Sequence, residues 1–94
     1  MAPIELTKEL ERKARLFALV GDSTRIRILR LLAAKKSVNV SDIAQEVEMS
    51  VACVSHHLQL LKDNQIAEAT RLGNNIYYQL AKDPFIKSLM GLVK

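Results

Sequence analysis

Two side chains that could bind a metal or react with an oxidant, Cys53 and His57, lie four positions apart in the sequence. In a helix such a pair shares one flank, and the N-terminus of a helix favours a thiolate in its first turn. The pair could therefore form half of a metal site or an oxidation-sensitive thiol. A stable zinc site needs about four ligands, or three and a water. We therefore expect a small packed cysteine, a partly buried histidine and no bound metal or cofactor, and the redox or ligand role stays a hypothesis.

The same segment carries a second set of groups, whose chemistry is hydrogen bonding. If Ser50 caps a helix that begins at Val51, the spacing of Val51, Val54, Leu58 and Leu61 predicts an inward apolar face. The opposite face then presents Ala52, Ser55, His56 and Gln59. Serine and glutamine can pair with base edges in the major groove of DNA, histidine with a base or a phosphate, and alanine with a thymine methyl. An ordinary solvated helix face has a similar composition, so these residues alone leave both interpretations open.

The distribution of charge sets a condition on the DNA interpretation. The net charge is +4, yet residues 37–61 contain no Lys or Arg. Because neutralising phosphates dominates the affinity for DNA, the positive charge must come from the flanking residues Lys35, Lys36, Lys62 and Arg71. Asn74 and Asn75 could add hydrogen bonds. We expect binding of moderate affinity that depends strongly on salt.

Apolar periodicity and capping residues predict the elements that would position these side chains. The prediction comprises a helix over roughly 4–20, a helix over 24–34, a short strand over 37–40, a helix capped by Ser41, a helix over 51–64, a hairpin of 66–72 and 76–80 around the turn 73–75, and a last helix capped by Asp83. Two capped helices joined by a tight turn and followed by a hairpin are typical of a winged helix-turn-helix. The predicted fold is therefore mainly α with a small β-hairpin wing, in the order α-α-β-α-α-β-β-α. Within the second helix Arg25 falls in the apolar arc, where we expect it in a structural ion pair rather than in contact with a phosphate.

Length and composition exclude several classes of protein. The 94 residues predict one domain, 1–94. No apolar run approaches a membrane span, no secretory signal is visible, and the single cysteine excludes a disulfide within the chain. No phosphate-binding loop, paired carboxylates or nucleophile–base arrangement beyond Cys53 and His57 indicates an enzyme. We therefore expect a cytoplasmic protein that is neither an enzyme nor membrane-bound.

Three segments together resemble the ArsR/SmtB family of bacterial and archaeal repressors, over about residues 16–80. They are the run from Asp22 to Leu29, the run from Ser50 to Leu61 with its Val-Ser-His-His-Leu core, and Gly73 with Ile76-Tyr77-Tyr78. The resemblance implies a homodimer that represses transcription at a double-stranded DNA operator and leaves it when an effector binds. It also implies that the first and last helices form the interface. The apolar candidates there are Leu6, Leu10, Phe17, Phe85, Leu89 and Leu92, which the short chain would otherwise leave in water.

The segments that hold the effector in many relatives differ in this chain. The start of the third helix reads Ser37-Val38-Asn39-Val40-Ser41-Asp42, without cysteine, and the last helix has no histidine. Neither arsenic nor zinc sensing is therefore predicted, and the effector is unknown. Two other functions stay open, a helix-turn-helix module for protein contacts and an architectural DNA-binding protein without an effector.

Overall fold

Five helices and three short strands follow one another in residues 3–93, the part of the chain that the computed structural model describes. They are α1 (Lys8–Val20), α2 (Ser23–Lys35), β1 (Val38–Asn39), α3 (Val40–Val47), α4 (Val51–Asp63), β2 (Ala67–Leu72), β3 (Asn75–Leu80) and α5 (Pro84–Gly91). This order confirms the predicted one, while the outer limits of the predicted domain lie outside the described residues. None of the helices within residues 3–93 has the length and apolar character that crossing a lipid bilayer requires.

Side-chain caps decide where the helices begin. The prediction was right for α4, where the Ser50 hydroxyl accepts a hydrogen bond from the Cys53 N–H at 3.1 Å. It was wrong for α3, because the Asn39 side chain is the cap and accepts from the Asp42 N–H at 2.8 Å. Ser41 therefore lies inside α3. Likewise α1 begins at Lys8, later than predicted, because Thr7 caps it.

The three strands form one antiparallel sheet in the order β1-β3-β2. Val38 of β1 lies opposite Tyr78, and Leu72 of β2 lies opposite Asn75 at the end of the hairpin. Only Gly73 and Asn74 make the turn, one residue fewer than predicted. Gly73 has φ +62°, the left-handed backbone that a tight hairpin turn requires and that glycine adopts without strain.

Helices α2 and α4 supply most of the completely buried side chains of the core. The side chains of Ile28, Leu29, Val54, Leu58 and Leu61 are completely buried, which confirms α2 as a central helix. Val51 is the exception to the predicted inward face of α4, because 50% of its surface is exposed. Val51 is the first residue of α4 and lies at the edge of the apolar arc, beyond the reach of the core.

Candidate nucleic-acid interface

Helix α4 presents one polar face to solvent, and its apolar face is buried from Val54 onward. We name the exposed residues Ala52, Ser55, His56 and Gln59 the recognition face. They lie opposite Val54, Leu58 and Leu61. The buried side chains fix the rotation of α4 about its axis, so the recognition face is held outward by the packing of the core rather than by its own contacts.

One residue of this surface was missed from the sequence. The Gln59 amide Nε2 donates to the Asp63 carboxylate at 2.8 Å, and both side chains are exposed. The two residues are four positions apart in a helix, a spacing that could have indicated the pair. Asp63 orients the amide along the helix and occupies one of its two N–H donors, which leaves the other N–H for a base.

The turn between α3 and α4 sets the angle at which the recognition face is presented. Glu48 ends α3 with φ 56°, and its N–H donates to the carbonyls of Ala44 and Gln45. The Met49 N–H donates to the same Ala44 carbonyl at 3.0 Å, and the Met49 side chain packs against the core. These bonds close the turn without the glycine that is frequent at left-handed positions.

The flanking basic and amide groups are all exposed, but their surroundings differ. Lys62 lies near the C-terminal end of α4, and Lys36 follows α2. Lys35 lies 3.8 Å from the Glu46 carboxylate, so part of its charge is already balanced. The Arg71 Nε donates to the Gly73 carbonyl at 3.3 Å, which keeps the guanidinium beside the hairpin turn and the exposed Asn74 and Asn75.

A crevice of about 220 Å³ connects the hairpin to the start of α4. We name it the wing crevice. Its lining residues come from α3, α4, the hairpin and the end of β1, and they are Asn39, Val40, Ser41, Val51, Ser55, Asn74, Asn75 and Ile76. The structure thus brings Ser55 of the recognition face together with the two asparagines that the sequence had assigned separately to the wing.

Arg25 lies behind the recognition face and contacts the histidine of the Cys53–His57 pair. Its Nε donates to the Leu19 carbonyl at 2.7 Å, and its Nη1 lies 3.3 Å from the His57 Nδ1. The predicted ion pair is therefore wrong in kind, since a carbonyl and an imidazole are the bonded partners. Asp22 also lies close to Arg25. The hydrogen bond from the Arg25 backbone N–H lowers the pKa of the Asp22 carboxyl, and the Arg25 charge adds to this effect.

The contact with Arg25 bears on the metal hypothesis. Cys53 and His57 are both partly exposed, but a guanidinium beside Nδ1 opposes a cation there. Within residues 3–93 no three His, Cys, Asp or Glu side chains are grouped so that they could hold a metal ion. The redox hypothesis for Cys53 stays a prediction.

The candidate interface residues on the terminal helices fall into two groups. Leu6, Leu10, Phe17 and Leu92 are exposed. The half-buried Phe85 packs edge-on against Phe17, with 5.7 Å between ring centroids. Leu89 is only 7% exposed and belongs to the core of its own chain, so it offers a partner almost no surface.

The sequence matches a known family over the elements that form this surface. The model of the family described as "Bacterial regulatory protein, arsR family" matches residues 22–69, which run from the cap of α2 through α4 into β2. The match covers just over half of the chain.

Individual relatives agree with the family match. A cadmium resistance transcriptional regulatory protein CadC homolog of Staphylococcus aureus is 38% identical over 82% of this chain and 63% of its own length. An HTH-type transcriptional regulator of Methanocaldococcus jannaschii is 35% identical over 92% of this chain and 96% of its own length. The chain thus spans less than two thirds of the staphylococcal relative and nearly all of the archaeal one.

A solved structure agrees in both fold and sequence. The homodimeric winged helix-turn-helix DNA-binding domain of a possible ArsR-family regulator from Mycobacterium bovis superimposes with a TM-score of 0.80. It is 33% identical, and the superposition covers 99% of this chain and 86% of that domain. The fold, the family match and the relatives agree, and the chain belongs to the ArsR family of winged helix-turn-helix transcriptional regulators, which are DNA-binding proteins and not enzymes.

Proposed function

We propose that this protein is a cytoplasmic, homodimeric repressor that binds a specific sequence of double-stranded DNA through α4. The observation that carries the proposal is the recognition face itself. Its hydrogen-bonding side chains point outward because Val54, Leu58 and Leu61 on the opposite side are completely buried. A helix held in this way can enter the major groove without rearranging the core.

The charged groups around α4 would hold the phosphates. Lys62 near the C-terminal end of α4 and Arg71 beside the hairpin turn are exposed, and so is Lys36, which lies beyond α2 near Gln79 and Lys82. Lys35 would contribute after leaving Glu46. Each phosphate contact releases a counterion, so the logarithm of the affinity should fall linearly with the logarithm of the salt concentration.

Dimerisation would give the operator its form. The apolar side chains of Leu6, Leu10, Phe17 and Leu92 are exposed on or beside α1 and α5, and a second copy would bury them. The homodimeric domain from Mycobacterium bovis, 33% identical, supports the same assembly for this chain. Two copies of α4 would then meet half-sites about 34 Å apart, one turn of B-DNA.

Selection of bound sequences from a random duplex pool tests the proposal. We expect a palindromic site with half-sites about one turn apart and an affinity that falls steeply with salt. A slope near zero, or selected sequences without a common site, would contradict DNA recognition and favour the use of the module for protein contacts. A palindrome bound identically with and without added metals and oxidants would indicate a protein without such an effector.

The double variant His56→Ala with Gln59→Ala tests the recognition face directly. Each lost base contact should reduce the preference for the selected site roughly 5- to 150-fold, since such contacts contribute about 1–3 kcal/mol. Binding to unrelated duplex should change little, because phosphate contacts remain. Arg15→Ala is the control: it removes an exposed positive charge from α1, and the preference for the selected site should survive. A double variant that keeps the full preference would show that other residues read the bases.

A further inference from the structure

Val51 is an aliphatic side chain at the place where α4 would meet DNA. Half of its surface is exposed, although Val54 and Leu58 on the following turns are completely buried. Ile76, at the start of β3, is also exposed, at 39%. Both side chains line the wing crevice. The start of α4 and the hairpin thus place two aliphatic groups at one opening to solvent.

The rim of this opening differs from its apolar lining. Ser41, Ser55, Asn74 and Asn75 supply hydroxyl and amide groups, while Val40, Val51 and Ile76 supply the aliphatic surface. No Lys or Arg lines the crevice among the described residues. Such a site suits a small apolar group that projects from an otherwise polar surface, and it is poorly suited to a phosphate.

One group on the edge of a DNA base has this chemistry. In the major groove the bases present hydrogen-bond donors and acceptors, and thymine adds a C5 methyl group. We infer that Val51, assisted by Ile76, contacts the C5 methyl of one thymine in each half-site and thereby makes that position specific for thymine. The inference rests on the proposed function and adds to it a residue that determines sequence preference.

This assignment differs from the one that the sequence alone suggested. The sequence offered Ala52 for contact with a thymine methyl, because Val51 was expected in the core. Ala52 is exposed but does not line the wing crevice, whereas Val51 does. The two assignments predict different variants that lose the preference for thymine.

Replacing thymine by deoxyuridine removes this methyl and leaves the hydrogen-bonding groups of the base in place. In the selected operator, each thymine is replaced in turn at symmetry-related positions of both half-sites. For the unaltered protein we expect one pair of positions at which deoxyuridine lowers the affinity about 15-fold. Burying one methyl group changes an affinity about four-fold, and the two half-sites together lose two such groups. Val51→Ala should bind the thymine operator and the deoxyuridine operator with nearly equal affinity. Ile76→Ala should reduce the difference in affinity between them only partly.

Two controls separate this contact from general effects. Leu72→Ala shortens an aliphatic side chain of the same hairpin that is 61% exposed but does not line the crevice, so it should keep the full difference. Ala52→Gly tests the competing assignment to Ala52: whatever its effect on the overall affinity, it should keep the difference between the thymine and deoxyuridine operators. Because Val51 is half exposed, Val51→Ala should unfold at nearly the same temperature as the unaltered protein, and circular dichroism checks this.

The outcomes distinguish the inference from the proposed function. Equal affinity of the unaltered protein for every deoxyuridine operator would overturn the inference. The inference would also be overturned if the affinities for the thymine and deoxyuridine operators still differed in Val51→Ala, or if Ala52→Gly were the only variant to remove this difference. If no unmodified duplex is bound in a salt-dependent way, the proposed function itself fails.

Discussion

Arg25 shows how one partly buried polar side chain joins three parts of the molecule. The Leu19 carbonyl is among the last four of α1, which have no partner within the helix, and the Arg25 Nε satisfies it at 2.7 Å. The same guanidinium lies against His57 of α4. Arg25 therefore connects the end of α1 to the helix that carries the recognition face.

We expect Arg25→Ala to lower the free energy of unfolding by about 1.5–3 kcal/mol, the usual contribution of hydrogen bonds to charged groups. The loss leaves the Leu19 carbonyl and His57 without this partner. Arg25→Lys keeps the charge but loses the guanidinium with its several donors. Its free energy of unfolding should lie between those of Arg25→Ala and the unaltered protein. Urea denaturation measures all three, and an alanine variant as stable as the unaltered protein would show that these bonds add nothing in solution.

At this scale the sequence predicted the outward residues of α4 better than their neighbours. Ser50, Ser55 and His56 take the predicted positions, because a cap and a helical period follow from the local sequence. Val51 could not be placed, since the period says which way a residue points and not where the core ends. The partners of Arg25 were also beyond the sequence, because they depend on how α1, α2 and α4 pack together.

At the scale of elements, Asp83 connects the first helix to the last. One carboxylate oxygen accepts from the Phe85 N–H at 2.8 Å and so caps α5. The other accepts from Arg12 of α1 at 2.7 Å. The hydrogen bond from Arg12, followed by the bond from the Phe85 N–H, lowers the pKa of the Asp83 carboxyl.

The lowered pKa gives the stability of this contact a definite dependence on pH. Because the folded chain holds the carboxyl below its ordinary pKa of about 3.9, the contribution is present above that pH and is lost as the pH falls through the folded value. We expect Asp83→Asn to unfold at a lower temperature than the unaltered protein at neutral pH. The difference should shrink as the pH falls below about 4.

Thermal unfolding followed across this range measures the effect. Arg12→Gln removes the other half of the pair and should show the same convergence. A difference between Asp83→Asn and the unaltered protein that stays constant with pH would mean that the charge of Asp83 plays no part.

The ends of the elements show where prediction from sequence reaches its limit. The α5 cap and the hairpin were predicted because Asp83-Pro84 and Gly73-Asn74 are strong local signals. The cap of α3 was not, because Asn39 and Ser41 are both good caps two residues apart. The pairing of Asn39 with Tyr77 across the sheet holds Asn39 in extended backbone just before α3 begins, and local sequence does not contain that contact.

For the whole molecule, the proposed dimerisation would decide the form of the operator. Phe17 is 55% exposed on α1 and contacts Phe85 of α5 edge-on, so it lies where the two helices of the proposed interface meet. We expect Phe17→Glu to be a monomer in sedimentation equilibrium, because a buried interface charge without a partner is costly. Affinity for the palindromic operator should fall by at least about 100-fold as the two half-sites lose their linkage.

Leu72→Glu is the matched control, since Leu72 is similarly exposed but lies in the hairpin. It should remain a dimer. A dimeric Phe17→Glu would place the interface elsewhere on the surface.

The gap in positive charge between Lys36 and Lys62 separates two tasks that many DNA-binding helices combine. In the proposed function, the sequence-independent affinity for DNA rests on cations outside α4 or near its C-terminal end, while the choice of sequence rests on uncharged or weakly charged side chains along α4. Changes at a few positions of α4 would therefore redirect the chain to another promoter without altering how strongly it adheres to bulk DNA. A duplicated copy of such a chain could acquire a new regulatory target through small steps, each of which leaves the fold and the electrostatic grip intact.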